Sequence, residues 1–117
     1  MTKHVWWIIE FEVAVGQVER MKEIAAKLCE LTSTEAGSVA YEWAMTPEGR
    51  LHIHERYVDS EAALAHFANV GPHLPPLAAI IKPTTGDCYG TFSAALKEAL
   101  ASYPLTYHDP FAGFLKA

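Results

Sequence analysis

The hydrophobic period of this chain changes at Gly16, and that switch constrains the fold more than any other feature. Segment His4 to Val15 is rich in Val, Ile, Trp and Phe. It places Val5, Trp7, Ile9, Phe11 and Val13 on one face and His4, Trp6, Ile8, Glu10 and Glu12 on the other. From Gln17 to Thr32 the apolar residues Val18, Met21, Ile24 or Ala25, Leu28 and Leu31 recur every three or four positions. Glu19, Arg20, Lys22, Glu23, Lys27 and Glu30 fill most of the remainder. A strand therefore runs into an amphipathic helix, and Ala36-Gly37 breaks the helical pattern.

The alternation then returns twice. Ser38 to Met45 sets Val39, Tyr41, Trp43 and Met45 against Ala40, Glu42 and Ala44. Leu51 to Val58 sets Leu51, Ile53, Glu55 and Tyr57 against His52, His54, Arg56 and Val58. Between them Thr46-Pro47-Glu48-Gly49-Arg50 is turn-forming, so the pair reads as an antiparallel hairpin. Asp59 or Ser60 caps a helix from about Glu61 to Val70 with a buried stripe of Ala63, Leu64, Phe67 and Val70. Gly71-Pro72 stops it, and Pro75-Pro76 confines the next stretch to short turns or a single helical turn. A last strand is expected near Thr84 to Thr91, and Phe92, Leu96, Ala99, Leu100 and Tyr103 outline a third helix. The order β-α-β-β-α-β is the ferredoxin-like split βαβ arrangement, an α+β fold with four antiparallel strands and both main helices on one face. Residues 1–92 form that unit. Residues 93–117 are a C-terminal helix and an aromatic tail (Tyr107, Phe111, Phe114) that packs on the unit or on a partner subunit.

In this arrangement the sheet face away from the helices still carries Trp6, Ile8 and Ala40, and an apolar face of that kind marks an interface. A second copy placing its own sheet there would bury both and enlarge the small core of a 117-residue chain. The formal net charge of −5 argues against nucleic acid or an anionic membrane as partner. The N-terminal apolar run is interrupted by Glu10 and Glu12 and falls short of the ~20 apolar residues that span a bilayer, so a cytoplasmic protein is expected. Cys29 and Cys88 lack metal-ligand spacing and read as small buried hydrophobes.

Glycine-rich phosphate loops, dinucleotide fingerprints, nucleophile elbows and zinc spacings are absent, which leaves aromatics, carboxylates and histidines to carry any chemistry. His52-x-His54, with Glu42 across the hairpin, could share one metal ion. Its position beside Arg56, Glu10 and Glu12 on the outer face favours an interfacial network of salt bridges and hydrogen bonds instead. On the helix side lie Trp7, Tyr41, Trp43, Glu55 and Tyr57. Glu55 alternates with apolar residues, so its carboxyl must be paired, hydrogen-bonded or set beside a wet cavity, where a raised pKa would suit a base. His66 is expected at the border of the second helix's stripe, and His73 at a chain reversal.

The run Ala36 to Trp43 (AGSVAYEW), followed by His54 to His66 (HERYVDSEAALAH), resembles the antibiotic-biosynthesis monooxygenase family over roughly Val5 to Thr91. The resemblance implies a dimeric α+β barrel of two ferredoxin-like subunits packed sheet to sheet through the face bearing Trp6, Ile8, His52, His54 and Arg56. Each subunit would hold a cavity between sheet and helices. It also implies oxidation of a small phenol or quinol by O₂ with no cofactor and no metal. Glu55 or His66 would act as base or orienting acceptor. Tyr41 and Tyr57 would hydrogen-bond the substrate, Trp7, Trp43 and Phe67 would stack on its ring, and His73 would line the site. Haem degradation fits less well, because a position occupied by tryptophan in haem-degrading relatives is His66 here. The same fold also hosts isomerases, mutarotases and non-catalytic ligand-binding dimers.

Overall fold

The structure, a computed structural model, describes residues 2–116. Its elements are β1 (Val5–Val13), α1 (Val18–Thr32), β2 (Ser38–Met45), β3 (Leu51–Tyr57), α2 (Ser60–Val70), a 3₁₀ turn (Gly71–His73), α3 (Pro75–Ala78), β4 (Ile81–Tyr89), α4 (Ala94–Ala99) and β5 (Leu105–His108). The five strands form one sheet in the order β2-β3-β1-β4-β5. Among the first four each strand is antiparallel to its neighbours, which is the ferredoxin-like core, and β5 adds parallel to β4. The sheet is thus five-stranded and mixed where the sequence suggested four antiparallel strands. Four residues following Pro104 are too few to display a period, so β5 read as tail. A parallel neighbour needs a crossover, and the segment containing α4 supplies it.

Local chemistry accounts for the boundaries. Asp59 caps α2 by accepting a hydrogen bond from the Ala62 amide at 2.8 Å. The hairpin closes with the Thr46 amide donating to the Arg50 carbonyl, and Gly49 takes φ +83° in the turn. β4 begins at Ile81, three residues before its expected start, and runs through Pro83. A shift of register opposite Glu10 and Phe11 leaves Thr84 unpaired there, and a bulge is where a strand tolerates proline. The third helix spans only Ala94–Ala99, yet Leu96 and Leu100 still pack into the core.

Side-chain parity on β1 and β3 follows the sequence pattern. Val5, Trp7, Ile9, Phe11, Leu51, Ile53 and Tyr57 are buried under the helices, while Trp6, Ile8, His52, His54 and Arg56 lie half-buried on the opposite face. Val39 departs from it. The pairing steps from Ser38↔Tyr57 to Ala40↔Arg56, so Val39 sits in a bulge and is exposed rather than sharing a face with Tyr41. Met21, Ile24 and Leu28 of α1 and Ala63 and Val70 of α2 close the core from above. Among the described residues no helix is long and apolar enough to cross a membrane.

Candidate active site

Register places one row of the sheet apart from its neighbours. Tyr41 of β2 pairs with Glu55 of β3, which pairs with Trp7 of β1, which pairs in turn with Cys88 of β4. The next row is Trp43, Ile53, Ile9 and Gly86, entirely apolar at its centre. A carboxylate is therefore set into an aromatic floor facing the helices, where isolated charge is costly.

The structure meets that cost with partners. The Tyr57 hydroxyl donates to Glu55 Oε1 at 2.6 Å. His66 Nε2 lies 3.5 Å from the same oxygen, and its Nδ1 lies 2.9 Å from Glu35 Oε1. Glu35, in the loop between α1 and β2, also accepts from Ser38 Oγ at 2.6 Å and from Asn69 Nδ2 at 2.8 Å. The side chains of His66, Glu55 and Glu35 are 2%, 10% and 12% exposed, so the imidazole bridges two buried carboxyl groups. Burial pushes the Glu55 carboxyl above the usual range, with the neighbouring Glu35 adding to it. The Tyr57 hydrogen bond opposes that rise, as would a positive charge on His66 were its ring protonated. Burial, then the charge of Glu55, raises both tyrosines, which keeps them phenolic.

A cavity of about 310 Å³ opens beside this chain of groups. Trp7, Tyr41, Trp43, Glu55, His66 and Phe67 supply its aromatic and polar lining, and Ile9, Phe11, Leu74 and Leu77 add apolar wall. Leu100, Ser102 and Tyr103, from the segment after α4, complete the wall. Its size falls within the range of small-molecule sites. Trp7 and Phe67 stack with ring centroids 6.1 Å apart at 14°, and Tyr41 meets Trp43 edge-on at 5.9 Å. The indole N–H groups of Trp7 and Trp43 are buried and make no hydrogen bond to protein.

Of the residues expected from sequence, Glu55, His66, Trp7, Tyr41, Trp43 and Phe67 come together around the cavity. His66 is at the centre of the buried face of α2 rather than at its border. Tyr57 lies behind Glu55 and does not line the cavity. His73 is exposed on the 3₁₀ turn, outside it, because Gly71-Pro72 turns the chain before His73 can face inward. Glu35 was not anticipated. Its only local signal is the nearby Gly37, where an added Cβ would lie 2.5 Å from that of Ala62. That close approach brings the α1–β2 loop against α2 and Glu35 within reach of His66. The wall after α4 was not anticipated either.

Elsewhere, the outer face carries the expected polar network with altered pairings. His52 Nε2 meets Glu10 Oε1 at 3.1 Å, and Thr84 donates to Glu10 Oε2 at 2.8 Å. Arg50, not Arg56, pairs with Glu12. Arg56 donates to His4 and lies 4.1 Å over the Trp6 ring. Among the described residues no group of three His, Cys, Asp or Glu is placed to hold a metal ion. Burial raises both thiols, Cys88 to about 12, and Cys29 is half-buried rather than fully so.

Comparison with known proteins agrees with this architecture. No curated protein matches the chain. MupZ from Pseudomonas fluorescens superposes with a TM-score of 0.85 at 20% identity, covering 97% of this chain and 95% of that one. A conserved protein from Methanosarcina mazei Go1 gives 0.69 at 17% identity, covering 77% and 94%. SnoaB, a cofactor-independent oxygenase from Streptomyces nogalater, gives 0.65 at 16% identity, covering 79% and 96%. The likeness to MupZ thus extends through the C-terminal segment that completes the cavity wall. Residues 5–73, more than half of the chain, match the family described as antibiotic biosynthesis monooxygenase, and the protein belongs to that family.

Proposed function

We propose that the protein is a cofactor-independent monooxygenase acting on a small aromatic phenol or quinol bound in the cavity between sheet and helices. The observation that carries this reading is Glu55, a buried carboxyl at an aromatic cavity wall, held by Tyr57 and faced by His66. Family membership and the likeness to an oxygenase that needs no cofactor support it. The substrate itself is the reductant. Glu55 takes its acidic proton, and His66 Nε2 stands ready to receive that proton from Glu55. The resulting anion passes one electron to O₂, the two radicals join through a C–O bond, and the hydroperoxide is protonated. Loss of water leaves a carbonyl at the ring carbon para to the phenol oxygen, which is the CH₂ of the keto tautomer, so one O₂ yields one carbonyl oxygen and one water. Trp7, Trp43 and Phe67 stack on the ring. Tyr41 and the indole N–H groups donate to its oxygens, and the apolar wall excludes water from the radical pair.

The catalytic unit is a homodimer packed through the face carrying Trp6, Ile8, His52, His54 and Arg56. The half-buried aromatic surface there, with Trp6 stacked on Tyr89 at 5.7 Å, supports that assembly. Oxygen-electrode assays with anthrone and quinols, without added cofactor, test the activity. Stoichiometric O₂ uptake with carbonyl formation is expected, and its absence across the panel overturns the reading.

The linked acid–base groups favour one second reading, an isomerase or mutarotase using Glu55 and His66 without O₂. Turnover under strict anaerobiosis distinguishes it. A ligand-binding dimer without catalysis would instead bind aromatics unchanged after Glu55→Gln.

A further inference from the structure

We propose that Glu35 is a positioning residue that fixes the tautomer of His66, holding the proton on Nδ1 and leaving Nε2 bare toward Glu55. The proposal rests on Glu55 being the base, and it adds the residue that lets that base be relieved of its proton. Of the two carboxyl groups around the imidazole, Glu35 makes the shorter contact. From the α1–β2 loop, Glu35 meets Nδ1 with Oε1 at 2.9 Å and Oε2 at 3.2 Å. From β3, Glu55 faces Nε2 at 3.5 Å, with Tyr57 beyond it donating to the same oxygen. From β2, the Tyr41 ring packs with its centroid 5.1 Å from that of His66. The Asn69 amide and the Ser38 hydroxyl both donate to Glu35, the inventory of a carboxylate acting as acceptor. A group that can only accept requires its imidazole partner to donate, so the proton sits on Nδ1. Nε2 then carries a lone pair aimed at Glu55, the arrangement needed to receive a proton rather than to supply one.

The anchoring makes this arrangement stiff. Asn69, one turn along α2 from His66, ties Glu35 Oε2 to the same helix that carries the ring, and also donates to the Leu31 carbonyl at the end of α1. The carboxylate is thus held from α2 and from the start of β2, with Asn69 itself tied to α1, and Gly37 permits the approach. A 180° flip of the ring would turn Nδ1 away from Glu35 and leave the buried Glu35 without its imidazole donor, a costly state.

The experiment is two-bond ¹H–¹⁵N correlation of the imidazole nitrogens at pH 8, with His66→Gln identifying the resonance. In the wild-type protein His66 is expected to carry a proton on Nδ1 and none on Nε2. A proton on Nε2, alone or with one on Nδ1, overturns the proposal. In Glu35→Gln, which keeps the shape but cannot accept from every present donor, the Nδ1–H form is expected to lose its dominance. With anthrone as substrate, kcat should fall by about 100-fold with little change in KM. Wild-type ring signals and a kcat within about twofold in that variant also overturn it. Should Glu35→Gln fail to fold, the wild-type spectrum alone decides. A Nδ1–H ring together with no O₂ uptake from any phenol or quinol removes the oxygenase reading while upholding the positioning role, because the ring signals need no substrate.

Discussion

Tyr57 and Glu55, two residues apart on one face of β3, are joined by a hydrogen bond of 2.6 Å from the phenol to the carboxyl oxygen. The pair shows how a short stretch of strand converts a costly buried charge into a directed one. The bond holds the Glu55 oxygen that also faces His66 Nε2, at the wall of the cavity.

Glu55→Gln separates stability from activity. Burial raises the folded-state pKa of Glu55 above its unfolded value. The folded state is therefore favoured, as far as this group is concerned, below the unfolded pKa, and that contribution is lost as pH rises through the higher folded value. The amide has no charge to bury. Thermal denaturation at pH 8 should show Glu55→Gln at least as stable as the wild type, by a few °C, with the difference vanishing near pH 4. Oxygen uptake should fall by ~10²–10⁴. A variant less stable at pH 8 than at pH 4, relative to the wild type, would contradict the sign.

Tyr57→Phe removes the donor that opposes the rise of the Glu55 pKa. The acidic limb of the kcat/KM profile should move to higher pH, because the carboxyl becomes harder to ionise without its hydrogen bond. Denaturant titration should register a loss of about 1–2 kcal/mol. An unshifted profile would show that the bond does not steady the reacting form.

Gly37→Ala tests the contact that delivers Glu35. A Cβ there meets the Ala62 side chain at 2.5 Å, so the α1–β2 loop and α2 must part. Overpacking of this kind costs about 1–3 kcal/mol, and His66 should lose its Nδ1 partner. Pairing it with Ala62→Gly, which vacates the space, should restore both stability and ring signals, and failure of that rescue would refute the steric account.

Tyr103→Ala enlarges the cavity from the C-terminal side, where Tyr103 meets Phe11 edge-on at 6.4 Å. Bulkier polycyclic phenols should gain in kcat/KM relative to single-ring quinols. An unchanged preference would mean that the segment after α4 does not set the size limit.

Trp6→Glu places a charge on the outer face, where Trp6 now lies beneath Arg56 and against Tyr89. Sedimentation equilibrium should give the wild-type protein twice the 12.9 kDa chain mass and the variant a single one. A wild-type species of one chain mass would rule out the sheet-to-sheet assembly.

Side-chain parity is a local property, and with it the sequence by itself determined which face of β1 and β3 meets the helices, hence that Glu55 points inward among aromatics. The helical period likewise set the buried stripe of α1, and Asp59 set the start of α2. Tertiary structure alone decided what Glu55 and His66 do together. Glu35 reaches His66 across 31 positions only because Gly37 lets two elements touch. Val39 turns outward at a bulge, and a four-residue strand joins the sheet through a crossover. Each of these depends on where distant segments close upon one another, and the free energy of such a closure resides in the meeting surfaces, which no single stretch of chain contains.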